Sequence, residues 1–88
     1  MSHPVRDFTV TWPDNPCWTP LEALFKPETL RHFMAMGEVV QDGIRICLYK
    51  HRHTRRYLNL DTNGAAYKYK VSRYIPSKLG DAITYVLS

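Results

Sequence analysis

The residues whose types and spacing could do chemistry lie between positions 44 and 73. Cys47, His51 and His53 are spaced evenly, so an extended strand would aim all three one way, and a His-x-His pair on a strand suits zinc. Yet Cys47 and His51 stand about 13 Å apart along a strand at ~3.3 Å per residue, too far for shared ligation. His3 and His32 do not converge with them, so neither a metal nor another cofactor is expected. His51, His53, Tyr57 and the arginines Arg52, Arg55 and Arg56 are also the types that ribonuclease chemistry needs, an acid, a base and phosphate clamps. The same stretch interleaves tyrosines with lysines and arginines. Rings stack on exposed bases and cations neutralise phosphates, so this pattern suits nucleic acid.

Charge sharpens that reading. The 88 residues carry a net charge of +4, spread unevenly. Residues 44–73 hold Arg45, Lys50, Arg52, Arg55, Arg56, Lys68, Lys70 and Arg73 against Asp61 alone, whereas residues 1–43 are net acidic. A basic stretch on a mildly acidic remainder points to an anionic partner. It also discourages edge-to-edge strand pairing, which needs no ligand.

The elements that position these residues follow from the period of the pattern. From Ile44 to Leu60, and again from Ala65 to Val71, apolar and polar residues alternate, which predicts antiparallel strands with one buried and one wet face. Asp42-Gly43 and Asn63-Gly64 suit type I′ turns. The first turn pairs Val39 with Ile46 and Gln41 with Ile44; the second pairs Leu60 with Tyr67 and Leu58 with Tyr69. A one-residue slip flips every side chain. Keeping Ile46, Leu48, Leu58 and Leu60 on one face therefore requires an odd-length loop at His53-Thr54-Arg55. Tyr49, Asn59 and Lys68 then form one row of the wet face, and His51, Tyr57 and Lys70 the next. With Arg45 and the loop residues Arg52, Arg55 and Arg56, these make up the expected binding surface.

The rest of the chain supplies the second layer. Met1 to Asp7 reads as a loose start, Phe8 to Trp12 as a short strand, and Pro13 to Trp18 as a loop whose tryptophans cap a small core. Thr19-Pro20-Leu21-Glu22 is a helix start with a capping box, and Pro27 breaks that helix in two. Leu30, Phe33 and Met34 continue the helical spacing to a stop at Gly37. Ser72 to Pro76 reads as a connector and Ser77 as the cap of a last helix. There Leu79, Ala82, Ile83, Val86 and Leu87 repeat at helical spacing.

The expected architecture is one two-layer α+β domain over 1–88. A four-stranded antiparallel meander, with a fifth N-terminal strand, has a proline-broken helix and a C-terminal helix packed on one face. No apolar run is long enough to span a membrane and no signal peptide is visible, so a cytoplasmic chain with Cys17 and Cys47 reduced is expected. No nucleophilic triad, phosphate-binding glycine loop or paired catalytic carboxylates stand out. The function expected is a small non-enzymatic binding module that takes nucleic acid or another polyanion on the basic, aromatic sheet face. The alternative is that a protein partner or a second copy covers the same face. Size, charge and element order are similar to those of small bacterial messenger-RNA-cleaving toxins of the RelE-like class, which implies ribonuclease activity as a further alternative. The likeness is architectural only, and the tail Tyr85-Val86-Leu87-Ser88 lacks the polar catalytic residues of that class.

Overall fold

The computed structural model describes residues 8–88, so the loose start read at 1–7 lies outside the described residues. Six strands form one antiparallel sheet in chain order: β1 (Phe8–Thr11), β2 (Phe33–Gln41), β3 (Ile44–His51), β4 (Tyr57–Asp61), β5 (Ala66–Lys70) and β6 (Arg73–Ser77). Helices α1 (Thr19–Glu22) and α2 (Pro27–Leu30) separate β1 from β2, and α3 (Leu79–Leu87) follows β6. The fold is α+β, with a larger sheet than the sequence suggested. No helix among the described residues is long and apolar enough to cross a membrane.

The first turn is as the sequence requires. Asp42 has φ 53° and Gly43 φ 77°, the type I′ combination, and Val39 pairs with Ile46 and Gln41 with Ile44. The second connection corrects the expected register. The His51 N–H donates to the Arg56 carbonyl (2.9 Å), which leaves an even loop from Arg52 to Arg55. Tyr49 therefore pairs with Leu58 and Cys47 with Leu60, so Ile46 and Leu48 lie on the opposite face from Leu58 and Leu60. The odd loop expected from the sequence rests on one shared apolar face for Ile46, Leu48, Leu58 and Leu60, and β3 has apolar residues on both faces. Ile46, Cys47, Leu48 and Tyr49 are all buried, and a strand buried on both faces carries no alternation to choose the register. Local turn chemistry chooses it instead. His51 Nδ1 accepts the N–H groups of His53 (3.2 Å) and Thr54 (3.3 Å), and Arg55 takes φ 64°.

The third turn is one residue longer than a type I′ turn. Asp61 Oδ1 accepts the N–H groups of Asn63 and Ala65, both at 2.9 Å, and Gly64 N–H donates to the Asp61 carbonyl at 3.0 Å. Asp at the first position of a type I turn and a left-handed glycine after it produce a three-residue hairpin. Asn59 thus pairs with Tyr67 and Leu60 with Ala66, in place of the expected Leu60–Tyr67 and Leu58–Tyr69 pairs.

Three further expectations change. The helical spacing at Phe33-Met34 is overridden by strand pairing with β3, and Gly37 ends no helix; it sits at a bulge in β2, with φ 95°. Residues 72–76 form no simple connector, because Arg73–Ser77 pairs with β5 as an edge strand, where Pro76 is tolerated. Thr19 and Ser77 do not cap: Trp18 and Lys78 occupy the N-cap positions, with no side-chain bond at either. Pro27 opens α2, as expected.

Both faces of the sheet are cored. The helices cover the face of Phe33, Cys47, Tyr49, Leu58, Leu60 and Ala66, and bury Leu21 and Val86 against it. The other face gathers Val39, Ile46, Leu48 and Tyr74, with Phe8, Met36 and Tyr67 packed around them. That second core exists because the sheet curls. The Phe8 ring of β1 lies 5.1 Å from Tyr74 of β6 and 6.0 Å from Tyr69 of β5. The curl is clasped by Gln41, hydrogen-bonded to the Tyr74 backbone, and by the Arg73–Asp42 ion pair at 2.7 Å.

Candidate functional site

The ladder between β4 and β5 consists of the pairs Asn59–Tyr67 and Leu60–Ala66. Beyond Asn59 and Tyr67 the two strands part, and a cleft of ≈1110 Å³ opens between them. That volume lies just above the ~300–1,000 Å³ typical of ligand sites. Tyr57 forms one wall, Tyr67, Lys68 and Tyr69 the other, and the buried Asn59 lies between them at the base. Asp81, Ala82 and Tyr85, on one face of α3, form the floor with the N-cap residue Lys78. Arg55 and Arg56 close one end, and Phe8, Leu48 and Tyr74 lie toward the concave face of the sheet.

Among the described residues four cations line the cleft, Arg55, Arg56, Lys68 and Lys78, against the one carboxylate of Asp81. Arg56 is held in place: its guanidinium lies 4.6 Å over the Tyr85 ring and its Nη1 donates to the Tyr85 carbonyl at 3.2 Å. Tyr57, Tyr69 and Tyr85 keep 39%, 53% and 53% of their surface exposed, although Arg56 lies over Tyr85 and Tyr69 makes edge contacts with Phe8 and Tyr74. Lys50 Nζ stands 5.7 Å over the Tyr57 ring. Tyr67 is differently placed. Its hydroxyl donates to Asp61 Oδ2 at 3.0 Å, and burial first, then that bond, raise its pKa above the ordinary value.

Of the residues expected to form one wet face, Arg55, Arg56, Tyr57, Asn59 and Lys68 line this cleft. The others are dispersed. Tyr49 is buried under the helices, stacked on Trp18 at 5.5 Å and donating to the Cys17 carbonyl at 2.5 Å; burial pushes its pKa up. Arg45 is paired with the buried Glu38, Nε to Oε1 at 2.5 Å. Arg52 is exposed, its N–H donating to the His32 carbonyl at 2.7 Å, and Lys70 is exposed at the far end of β5. Asn59 is itself 5% exposed, so it belongs to the cleft floor and not to a solvated surface. The even register causes this dispersal: it turns Tyr49 and His51 onto the helix-covered side and Tyr57 and Asn59 onto the other.

His51 joins a different cluster. Its ring lies 5.6 Å from His53 and 6.0 Å from His32, and His32 lies 5.0 Å from His53. Sequence spacing left His32 out; the turn after α2 and its bond to Arg52 bring it in. Burial, and then the charges of His53 and His32, lower the His51 pKa. Among the described residues no group of three or more His, Cys, Asp or Glu is arranged to hold a metal. Cys17 and Cys47 are free thiols, and burial pushes Cys47 up to about 11. A second cavity beside Cys17, Glu38 and Cys47 measures ≈30 Å³, room for a water molecule and nothing larger.

No protein family, curated protein or solved structure matches the chain. The functional reading therefore stands on the geometry of the cleft. The residues that sequence reasoning missed there are Tyr69, Lys78 and Tyr85. The signal was present in α3, whose polar face repeats at the same spacing as its apolar one.

Proposed function

We propose that this protein binds single-stranded nucleic acid in the cleft between β4 and β5. The observation that carries the reading is the convergence of exposed tyrosine rings with Arg55, Arg56, Lys68 and Lys78 on one concave site. Unstacked bases lie on such rings for ~1–3 kcal/mol each, while the cations follow the phosphates. A duplex keeps its bases stacked and offers those rings nothing, so the single strand is favoured. The competing idea of a partner protein on a flat wet face loses ground to the burial of Tyr49 and His51. Cleavage is also disfavoured, because no histidine among the described residues lines the cleft, and the His51 Nδ1 is already engaged by backbone N–H groups.

The test is a fluorescence anisotropy titration with labelled single strands of about ten nucleotides and the matching duplex. With four cations in contact, the log–log salt slope for a single strand is roughly −2 to −3. Tyr57→Ala and Tyr69→Ala weaken binding by ~1–3 kcal/mol and leave the slope unchanged. Arg55→Ala and Lys68→Ala flatten the slope, whereas Arg45→Ala does not. Absence of binding to any single strand at low salt overturns the reading.

A further inference from the structure

Resting on that nucleic-acid reading, we infer that Asn59 selects bases carrying an exocyclic amine, cytosine over uracil, through the Oδ1 atom that no protein group satisfies. Asn59 lines the cleft and is 5% exposed. Its Nδ2 donates to the Tyr67 carbonyl at 3.2 Å, which fixes the orientation of the amide, because the flipped form would set two carbonyl oxygens against each other. The remaining atom, Oδ1, is buried and has no partner. The hydroxyl of Tyr67, the residue paired with Asn59, is committed to Asp61 Oδ2. A buried acceptor left without a donor is costly, and buried polar groups are seldom left so. Among the described residues the other such atom is Glu38 Oε2, which faces a cavity too small for a ligand.

The chemistry of the missing group follows. Asn59 offers an acceptor only, so the group that completes it is a donor. A base stacked between the walls at Tyr57 and Tyr69 brings its polar edge toward the floor. Cytosine presents an amine there. Uracil presents a carbonyl oxygen at the same position, and two acceptors face each other. The amide thus discriminates by an unmatched acceptor as well as by a hydrogen bond gained.

The experiment compares three oligonucleotides of equal length and backbone: oligo-C, oligo-U, and an oligomer of pyrimidin-2-one, which is cytosine without its amine. Wild-type protein binds oligo-C about fivefold or more tightly than either of the others, the value of one neutral hydrogen bond. Asn59→Leu abolishes the preference, so that oligo-C and oligo-U bind with the same affinity. Because the three ligands are compared on the wild-type protein, the result stands even if Asn59→Leu does not fold. Equal binding of the three overturns the role of Asn59 while the nucleic-acid reading survives. Binding of none of them, at any salt, overturns both.

Discussion

The side chain of Gln41 in β2 completes the backbone of Tyr74 in β6: Nε2 donates to the Tyr74 carbonyl at 2.6 Å, and the Tyr74 N–H donates to Oε1 at 2.7 Å. A primary amide has the donor and acceptor spacing of a peptide group, so Gln41 acts as one residue of a strand that is not there. The pair is buried, and it holds the curl against which Phe8, Tyr69 and Tyr74 pack. Gln41→Ala removes both bonds and costs about 2 kcal/mol. Gln41→Glu keeps the acceptor but cannot donate, and loses a similar amount. Urea denaturation of both variants measures this.

Gly37 and Gly64 both have positive φ, but their surroundings differ. A Cβ on Gly37 would stand 2.9 Å from the Thr11 carbonyl oxygen and 3.3 Å from the Trp12 ring; on Gly64 it would meet open space. Gly64→Ala therefore costs about 1 kcal/mol, for the left-handed backbone alone. Gly37→Ala costs about 2 kcal/mol or more, because β1 must also move away from β2. Comparison of the two midpoints in urea tests the difference.

Val71 and Ser72 form the turn between β5 and β6 with φ 48° and 67°, a geometry made for Asn and Gly. Val71 is 84% exposed and gains little burial in return. The double substitution Val71→Asn, Ser72→Gly should stabilise the fold by about 1 kcal/mol and raise the melting temperature. An unchanged or lower melting temperature would count against strain at this turn.

Asp61 holds the third turn with one oxygen and Tyr67 with the other. Asp61→Ala removes three hydrogen bonds and costs about 2–4 kcal/mol. It also releases the Tyr67 hydroxyl into the cleft, so oligonucleotide affinity changes as well as stability. Denaturation and anisotropy on the same preparation separate the two effects.

The histidine cluster makes stability depend on pH. Burial and its neighbours lower the His51 imidazole below its ordinary 6.5, so as pH falls the unfolded chain takes up a proton before the folded one does. Stability is full above about pH 6.5 and declines below it, until the folded imidazole is protonated too. Urea midpoints at about pH 7.5 and about pH 5.5, above the carboxylate range, should show a drop that is smaller in His51→Gln.

Much of the topology is legible in the chain because some signals are local. Asp42-Gly43 dictates its own turn, Pro27 its helix break, and the α3 stripe of Leu79, Ala82 and Val86 its buried side. The register of β3 on β4 is not local. The apolar run Ile46-Cys47-Leu48-Tyr49 is buried on both faces, so period-two alternation does not tell which face Tyr49 and His51 occupy. The Val71–Ser72 turn carries none of the residues that mark such turns, so β6 was hidden. Arg55, Arg56, Tyr57, Asn59 and Lys68 come together at one cleft because β4 and β5 are neighbours in the sheet, which the sequence order makes legible. The other side of the cleft needed the curl and the placement of α3, which are long-range features.

The β4–β5 ladder has two residue pairs where β2 and β3 share seven, so backbone pairing between the two parts of the sheet is thin there, and the α3 floor, the Gln41 clasp, the Arg73–Asp42 ion pair and the Phe8–Tyr74 contact also join them. Amide protons on the facing edges near Tyr57 and Tyr69 should therefore exchange with solvent sooner than those between β2 and β3, where the ladder is long. A strand of nucleic acid seated on both walls would act as a rivet across this seam, so binding should slow exchange far from the contacted residues and make the two parts unfold as one.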